Sequence, residues 1–444
     1  MRITPSVWLL RSVGSLLLLA IISGTAHALG WSVPALLDSL LIAASLCLLL
    51  FAIIDAWRVQ QQPSPQLQRE VASGVSLQHS YNVTLRFSHT GSSAMTLQYF
   101  DHIPDSFACT SLPYSVRLKA NCVSQTDYTI KPLRRGAFQI PGCSIRLPSP
   151  MRLWSAQRFL ALPSLLRVYP DFTRIQSGQL QATEHWLKQL GVQQQQRRGT
   201  GMEFHQLREF REGDNFKHID WKATARQRIP IAREFQDERD QQIIFLLDCG
   251  RHMRSQDSAL SHLDHALNAC LLLAHTALRQ GDAVGVQTFA GTERHLKPGK
   301  GRTQMSALLN TLYDIHPSQS SADYSAAVEQ LLHKQKRRAL VIVISNIADE
   351  ADSDLLVAMQ RLKKKHRTLL VSLREEVLDD LRQQPADNLQ QAQLYCAGIE
   401  YLNARQRHQQ KLSSQGIHLL DARPSQLTAQ LVSHYLAIKK AGQY

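Results

Sequence analysis

The sequence lacks the patterns that mark disulfide-stabilised, zinc-binding and common catalytic proteins. Its seven cysteines are scattered and odd in number, and none lies in a C-x-x-C pair. This spacing predicts neither a disulfide framework nor a zinc site, so we expect buried free thiols. Also missing are a G-x-x-x-x-G-K-[ST] loop, a G-x-G-x-x-G turn, a G-x-S-x-G elbow and an H-E-x-x-H helix. The sequence therefore predicts a protein that is not an enzyme, with no cofactor and no identifiable small-molecule substrate.

Negative charge is in short supply as well. The chain has 36 Asp and Glu against 50 Lys and Arg, which gives a formal net charge of +14. Such an excess suits nucleic acid or anionic lipid. Because zinc-finger spacing and RNP-like aromatics are missing, we favour a membrane protein whose basic body lies beside an acidic leaflet. Nucleic-acid binding driven by charge is the alternative, and it predicts an affinity that falls steeply with salt.

Two long apolar runs occupy the start of the sequence, from Ser12 to Leu29 and from Val33 to Ile54. Each approaches the roughly 20 residues that cross the hydrocarbon core of a bilayer. The connector between them has no Lys or Arg, whereas arginines flank the outer ends: Arg2, Arg11, Arg58 and Arg69. The positive-inside rule then places both ends, and everything after Trp57, in the cytoplasm. We expect a multi-pass protein of a bacterial inner membrane.

A cleaved signal peptide is the alternative interpretation of the first run. Arg2 and Arg11 precede a short apolar stretch, and Ala26-His27-Ala28 has the small-x-small form of a cleavage site. The second run would then remain as an anchor, and the body of the chain would face outward.

The rest of the sequence divides into three predicted regions after a transmembrane hairpin at residues 1–58. Residues 70–170 alternate apolar and polar side chains between turn residues, which predicts an antiparallel β-sandwich of immunoglobulin-like type. Residues 171–240 are predicted as a helical lead-in followed by a charged segment. Residues 241–444 alternate apolar strands with amphipathic helices, which predicts an α/β domain with a parallel sheet. We expect a ligand of that domain at the carboxyl ends of its strands.

A composite motif begins at Gly201, where charged side chains are interleaved with large apolar ones. It runs G-x-E-F, L-R-E-F, G-D, I-D-W-K and A-R in chain order. Its candidate interaction residues are Glu203, Phe204, Arg208, Glu209, Gly213, Asp214, Asp220, Trp221, Lys222 and Arg226. The even mix of charge signs is typical of an ion-pair network that holds a segment against a folded domain. Gly213-Asp214 is typical of a turn, and Trp221 of a core anchor.

This motif resembles that of the family labelled domain of unknown function 58, and so do the two-helix start and the segment LRRGAFQIPGCSIRLPSPMRLW. The resemblance implies a membrane-anchored protein with a Rossmann-type, von Willebrand factor A-like domain. It also implies a partnership with a MoxR-type AAA+ ATPase in assembling or activating other proteins.

Domains of the von Willebrand factor A type commonly bind Mg²⁺ through D-x-S-x-S, a Thr in a second loop and an acid in a third. Here Asp248 keeps the first carboxylate, while the other four oxygen-donor positions hold Gly250, His252, Ala322 and Asn346. A site with one carboxylate and a neighbouring arginine binds Mg²⁺ poorly, because this ion gives up its water reluctantly. We therefore predict a degenerate metal loop without a bound metal. Ser321 and Asp349 are the nearest substitute ligands and keep a magnesium site as the alternative.

Histidines offer little further evidence of a metal site. His262 and His265 are three apart on a predicted helix, and without a third ligand we interpret them as surface polarity. Our leading hypothesis is a membrane-anchored interaction scaffold whose partners are a MoxR-type AAA+ ATPase, client proteins or both, with no nucleic acid. The rival is a metal-dependent enzyme or a magnesium-gated adhesion protein that uses Asp248, Ser321 and Asp349.

Overall fold

Two long apolar helices lie near the start of the chain in the computed structural model, α1 at Val7–Ala28 and α2 at Ala35–Gln61. The structure describes residues 2–29, 34–91, 94–110, 113–171, 198–211, 216–236, 241–257, 260–347, 352–379 and 388–440. Both helices are long and apolar enough to cross a membrane. Ser6 caps α1 by accepting a hydrogen bond from the Leu9 amide at 3.3 Å. The helices extend the predicted apolar runs at their outer ends, and most of their large apolar side chains are exposed.

The chain folds as two units, Met1–Val168 and Tyr169–Tyr444. In the first unit, ten strands form two antiparallel sheets. One sheet has the order β1-β10-β9-β5-β7 with β3 also paired to β10, and the other has the order β2-β4-β8-β6. The strands are β1 Arg2–Pro5, β2 Gln66–Glu70, β3 Gly74–Ser76, β4 Tyr81–Ser88, β5 Met95–Asp101, β6 Phe107–Cys109, β7 Tyr114–Leu118, β8 Val123–Pro132, β9 Gly136–Pro148 and β10 Trp154–Tyr169.

Alternating apolar side chains join the two antiparallel sheets. Val83, Leu85 and Phe87 of β4 are fully buried at every second position. The ring of Phe87 lies 5.3 Å from that of Tyr99 on the opposite sheet. The core also encloses an ion pair, since the Arg69 guanidinium bonds to both carboxylate oxygens of Asp101, and neither side chain is exposed.

Strand β1 precedes the first helix and pairs with β10, so that Arg2 faces Gln157 and Pro5 faces Trp154. The other outer helix end is fastened to the same unit. The buried Asp55 carboxylate of α2 accepts hydrogen bonds from the Ser149 hydroxyl and from the amides of Met151 and Leu153, at 3.0 and 3.2 Å for the amides. Both outer ends of the helix pair are therefore attached to the same β fold.

The second unit contains a six-stranded sheet of order β17-β16-β13-β18-β19-β20, in which every neighbouring pair is parallel except β16 with β17. Its strands are β13 Gln242–Asp248, β16 Ala283–Phe289, β17 His295–Gly299, β18 Leu340–Ser345, β19 Arg367–Leu373 and β20 His418–Ala422. The helices around it are α4 His262–Arg279, α5 Gly301–Leu312, α6 Tyr324–Lys334, α7 Asp352–Lys363, α8 Leu389–Ser414 and α9 Pro424–Lys440.

Apolar cores lie on both faces of the parallel sheet, as its continuous apolar strands predict. Along β13, Phe245 and Leu247 contribute to one core and Ile244 and Leu246 to the other. Two small hairpins complete the unit. One pairs β11 Arg198–Glu209 with β12 Ile231–Gln236 and carries the seven-residue helix α3 Trp221–Gln227; the other pairs β14 Gln256–Asp257 with β15 Leu260–Ser261.

The predicted thiol burial is confirmed for only some of the cysteines, all of which are free. Cys143, Cys249 and Cys270 are buried, Cys109 is half-buried, and Cys47, Cys122 and Cys396 are exposed. The predicted helical lead-in at 173–196 lies outside the described residues.

Candidate functional site

The candidate site lies at the carboxyl end of β13, where the strand order of the sheet reverses. Strand β13 lies between β16 and β18, and the chain leaves β13 toward one edge of the sheet and later returns to build the other. Such a reversal leaves a crevice at the carboxyl ends of the strands, which is where ligands of open α/β sheets bind. Asp248 is the last residue of β13 and is 1% exposed.

Both oxygens of the Asp248 carboxylate accept hydrogen bonds from groups of the same fold. The Gly250 amide donates to Oδ1 at 2.7 Å, and the Ser345 hydroxyl donates to Oδ2 at 2.6 Å. Ser345 Oγ is also 2.8 Å from the hydroxyl of Tyr324, the first residue of α6. A buried chain of hydrogen bonds thus runs from α6 through the end of β18 to the end of β13.

Burial dominates the electrostatics of this chain of groups. Removal from water raises the pKa of Asp248, and the bonds from Ser345 and Gly250 only partly oppose that shift. Burial also raises the pKa of Tyr324, and the nearby Asp248 charge adds to the effect. Both shifts favour the neutral forms of these groups.

Close packing explains the glycine at position 250. A Cβ atom there would lie 2.9 Å from the Ser320 carbonyl oxygen and 3.0 Å from Asp248 Oδ1. The same loops are joined by backbone bonds, because the Arg251 amide donates to Ser320 and the Ser318 amide donates to the Cys249 carbonyl, at 2.9 and 2.7 Å. A serine side chain at 250 would require a backbone shift, so the residue follows from the packing of these loops.

The other three positions of the expected metal loop present different groups. His252 is half-buried, and its carbonyl accepts a hydrogen bond from the Asn346 amide group at 3.4 Å. Ala322 packs against the apolar core that contains Tyr324. Asn346 is 2% exposed and donates from Nδ2 to Glu375 Oε1 at 2.6 Å. The fold therefore brings Asp248, Gly250, His252 and Asn346 to one end of the sheet, whereas Ala322 offers no oxygen from its side chain.

A buried histidine network adjoins this cluster, which corrects the interpretation of His262 as surface polarity. His262 is fully buried, and its Nε2 lies 2.6 Å from Asp257 Oδ2. Its Nδ1 lies 3.4 Å from Asn346 Nδ2, so this nitrogen accepts and Nε2 carries the proton given to Asp257. The neighbouring His265 has a pKa lowered by burial. The small β14–β15 hairpin folds the chain back so that Asp257 meets His262, which helical spacing alone does not reveal.

Arg405 joins the carboxyl ends of the remaining strands. Arg405 lies on α8 and is 5% exposed. Its guanidinium group donates to the carbonyls of Ile347 and Leu373 at 3.1 and 2.7 Å. It also donates to Asp421 Oδ1 at 2.8 Å. The sequence analysis missed this residue because α8 was not predicted.

Two buried oxygens of the site have no hydrogen-bond partner among the described residues, Asn346 Oδ1 and Glu375 Oε2. They belong to side chains that are bonded to each other, and hard oxygen atoms are what Mg²⁺ prefers. Within the described ranges, the side chains of His, Cys, Asp and Glu form no group of three that could hold a metal ion. Asp349, the substitute acid, lies outside those ranges, and Ser321 is exposed.

The motif segment forms the β11–β12 hairpin with α3 between its strands. Asp220 caps α3 through the amides of Lys222 and Ala223, each at 3.0 Å, and pairs with Arg233 at 2.9 Å. Trp221 is 72% exposed, so the prediction of a core anchor is wrong. Trp221 is the first residue of α3, directly after the capping Asp220, and none of the residues of α3 is buried.

The other motif residues are placed less fully. Glu203 and Phe204 lie on β11, opposite Gln236 and Phe235 of β12. Arg208 donates to the Glu209 carbonyl at 2.9 Å, and Lys222 and Arg226 are exposed on α3. Gly213 and Asp214 lie outside the described residues.

Comparison with known proteins finds a family match within the second unit. Residues 206–415 match the family described as protein of unknown function DUF58. This stretch is a DUF58 region. It contains the Asp248 cluster, the Asp257–His262 pair and most of the motif segment, so the resemblance stated from the motif is confirmed over these residues.

The curated relatives that match the chain are uncharacterized proteins. Rv1480 of Mycobacterium tuberculosis and Mb1516 of Mycobacterium bovis are each 22% identical to the chain over 184 residues. The match covers 41% of this chain and 56% of each relative, so the chain spans about half the length of these proteins. A crystal structure of an aerotolerance-related membrane protein from Bacteroides fragilis, with multiple mutations to serines, matches with 19% identity and a TM-score of 0.23, over 30% of this chain and 67% of that one.

Proposed function

We propose that this protein is a membrane-anchored interaction scaffold whose parallel-sheet domain docks other proteins at the carboxyl end of its strands. The partner we propose is a MoxR-type AAA+ ATPase, with assembly or activation of client proteins as the outcome. In this proposal the antiparallel unit is an immunoglobulin-like sandwich that spaces the domain from the membrane, and the parallel-sheet domain is of von Willebrand factor A type. No chemical step is assigned to it.

The hydrogen bonding of Asp248 is the observation that carries the proposal. A carboxylate kept for a metal ion needs an oxygen directed at the ion, and here each oxygen already accepts a bond from Gly250 or Ser345. Gly250 and Ala322 supply no side-chain oxygen, and a larger side chain at 250 would meet the Ser320 carbonyl. These features favour a surface that is fixed in shape by its own hydrogen bonds, which suits docking of a polypeptide.

Pairing of β1 with β10 supports the proposed multi-pass topology. The residues before α1 and the strands after α2 belong to one sheet, so both outer ends of the helix pair lie on the same side of a membrane that the helices cross. The positive-inside rule makes that side the cytoplasm. A signal peptide cleaved after Ala28 would remove β1 together with α1, so the pairing favours an uncleaved hairpin.

Site-directed photo-crosslinking in membranes tests the docking face. A photoreactive residue at the exposed Gln319, next to the Ser320 carbonyl that contacts Gly250, should give a crosslink to an AAA+ ATPase. The matched control is Arg337, which is exposed and lies just before β18, at the amino ends of the parallel strands. Crosslinking from Arg337 alone, or to equal extents from both positions, would contradict docking at the carboxyl ends.

A magnesium-dependent function is the second candidate, and the two buried oxygens without partners, Asn346 Oδ1 and Glu375 Oε2, favour it. With Asp248, they would give three oxygen ligands from three neighbouring strand ends. Isothermal titration of the full-length protein in detergent with Mg²⁺ and Mn²⁺ separates the candidates. Micromolar binding that is lost in both Asp248→Ala and Glu375→Gln would support the metal site, and an unchanged heat of mixing would argue against it.

A further inference from the structure

Three large apolar side chains of the described residues between β11 and β12 face solvent. Phe216 is 76% exposed, Trp221 is 72% exposed and Ile229 is 48% exposed. They lie in the short 3₁₀ turn at Phe216–His218, at the start of α3 and just after its end. An apolar group of this size in water is unfavourable by about 25 cal/mol for each Å² exposed, and clustered exposed apolar residues mark interaction sites.

Positive charge accompanies these apolar groups. Lys222, Arg226 and Arg228 are all exposed, and none forms an ion pair with a carboxylate of the described residues. Asp220, the acid that precedes them in sequence, already has partners: it caps α3 and pairs with Arg233. Within the described ranges, the segment from Phe216 to Ile229 therefore presents cations without a carboxylate partner, interspersed in sequence with exposed aromatic and aliphatic groups. We call it the basic aromatic segment.

The fold holds this segment in a defined shape. Phe216 stacks on Phe210, the residue after β11, with ring centroids 5.4 Å apart, and the Asp220 amide donates to the Ile231 carbonyl at 2.8 Å. The Thr224 hydroxyl accepts from the Ile231 amide at 3.0 Å. Helix α3 ends at Arg228 in the left-handed conformation, with φ 58°. Its exposed side chains thus belong to an ordered element that is fastened to β12.

We propose that the basic aromatic segment binds the surface of an anionic bilayer. Tryptophan with Lys and Arg is the combination that membrane interfaces favour, because the ring occupies the headgroup region while the cations meet lipid phosphates. The chain itself carries two helices that can cross a membrane, so the bilayer is available to the segment without a separate binding event. An acidic protein surface would meet the same charge, and the experiment below separates that partner from lipid.

Electrostatics sets the expected strength. Each Lys or Arg near an anionic leaflet adds about a fivefold gain in affinity, so the three cations together amount to roughly a hundredfold. This attraction falls off within a Debye length and weakens with salt. Reversing the three charges should therefore release the segment even though Phe216, Trp221 and Ile229 remain.

Quenching of Trp221 fluorescence tests the proposal in the full-length protein. The protein is reconstituted in vesicles of brominated phosphatidylcholine, alone or mixed with phosphatidylglycerol, and the Trp221 contribution is taken as the difference from Trp221→Phe. We expect Trp221 to be quenched in the phosphatidylglycerol vesicles and to recover at high salt. The variant Lys222→Glu/Arg226→Glu/Arg228→Glu should lose the quenching. The matched control Arg361→Glu/Lys364→Glu/Lys365→Glu, which reverses three exposed cations at the end of α7, should keep it.

The remaining outcomes also decide. Trp221 that stays accessible to water in both lipids overturns the proposal, and so does quenching that is equal in phosphatidylcholine alone and insensitive to salt. A photo-crosslinker at position 221 that reacts with a protein in cells, without lipid quenching, would assign the segment to an acidic protein instead. Because the inference rests on anchoring by α1 and α2, flotation of the vesicles is measured first. If the protein fails to float with the vesicles, anchoring by α1 and α2 is contradicted. If it floats but Trp221 is not quenched, only the binding of the basic aromatic segment to lipid is contradicted.

Discussion

Asp248 is a single side chain on which burial and hydrogen bonding act in opposite directions. Its carboxyl group is almost fully buried, which raises its pKa, while the Ser345 hydroxyl and the Gly250 amide stabilise the charged form. Between the ordinary pKa of 3.8 and the raised value, the folded protein binds more protons at this site than the unfolded chain does. The free energy of unfolding therefore falls as the pH rises through that window.

Substitution of Asp248 should separate its charge from its hydrogen bonds. Asp248→Asn can still accept from the Gly250 amide and can donate to Ser345 Oγ, so we expect it to be at least as stable as the wild type at neutral pH and to lack the decline described above. Asp248→Ala leaves the buried Gly250 amide and Ser345 hydroxyl without this partner, at about 1–3 kcal/mol. Hydrogen exchange of the β13 and β18 amides measures the stability of both variants. It is followed between about pH 5 and 8, the range in which proteins are usually most stable. A wild type that gains stability over Asp248→Asn as the pH rises would contradict the assigned direction.

At the scale of residues, the sequence identified the positions of the site better than their surroundings. The ends of the apolar strands are visible in the sequence. They place four residues of the site at the carboxyl ends of the strands: Asp248, Gly250, His252 and Asn346. Burial of His262 could not be foreseen, since its partner Asp257 reaches it through a small hairpin. Trp221 was misjudged because aromatic content shows that a group prefers contact but not whether the chain itself supplies it.

The end of α2 is fixed by side chains at its last two turns. Asp55 binds the loop between β9 and β10, and Trp154 donates from Nε1 to the Ala52 carbonyl at 2.8 Å. Arg158 caps the helix by donating to the carbonyls of Val59 and Gln60 at 2.9 and 3.1 Å. The two bonds from Arg158 satisfy carbonyls of the last turn, which a helix end otherwise leaves without partners.

Removal of the Asp55 carboxylate should loosen this junction. Asp55→Ala leaves the amides of Met151 and Leu153 without their acceptor, and we expect a loss of about 3 kcal/mol or more from bonds to a charged group. Hydrogen exchange of these two amides in detergent should accelerate by more than a hundredfold. The exposed Asp105→Ala is the matched control and should leave both rates unchanged. Equal protection in the two variants would mean that the junction is held by other contacts.

At the scale of elements, success followed the strength of the apolar pattern. The predicted alternation of strands and amphipathic helices over residues 241–444 agrees with α4, α5, α6, α7 and α9, because each of these helices has a stripe of buried side chains. Helix α8 was missed, since its buried residues are only Arg405 and Leu412. Strand β17 contains Pro298 and pairs only along one side, at the edge of the sheet, where the strand pattern is weak.

In the molecule as a whole, the helix pair belongs to the first folded unit. The strand before α1 and the strands after α2 are parts of the same antiparallel β fold. We expect the first helix to be retained, so the intact mass of the protein purified from membranes should include residues 2–28. A reporter active only outside the cytoplasm should be active when inserted after Leu29 and inactive after Gln62. Cleavage after Ala28, or activity of the reporter at Gln62, would place the β strands on the outer side and contradict the proposed topology.

Pairing of Arg2 with Gln157 has a consequence for biogenesis. The first strand leaves the ribosome long before its partner is made, because both long apolar helices and strands β2 to β9 are synthesised in the interval. Contacts between residues so distant in sequence form slowly, because a long loop must close before they form. Strand β1 therefore stays without its partner until β10 is translated, and a folded domain fused directly before β1 would compete with this pairing.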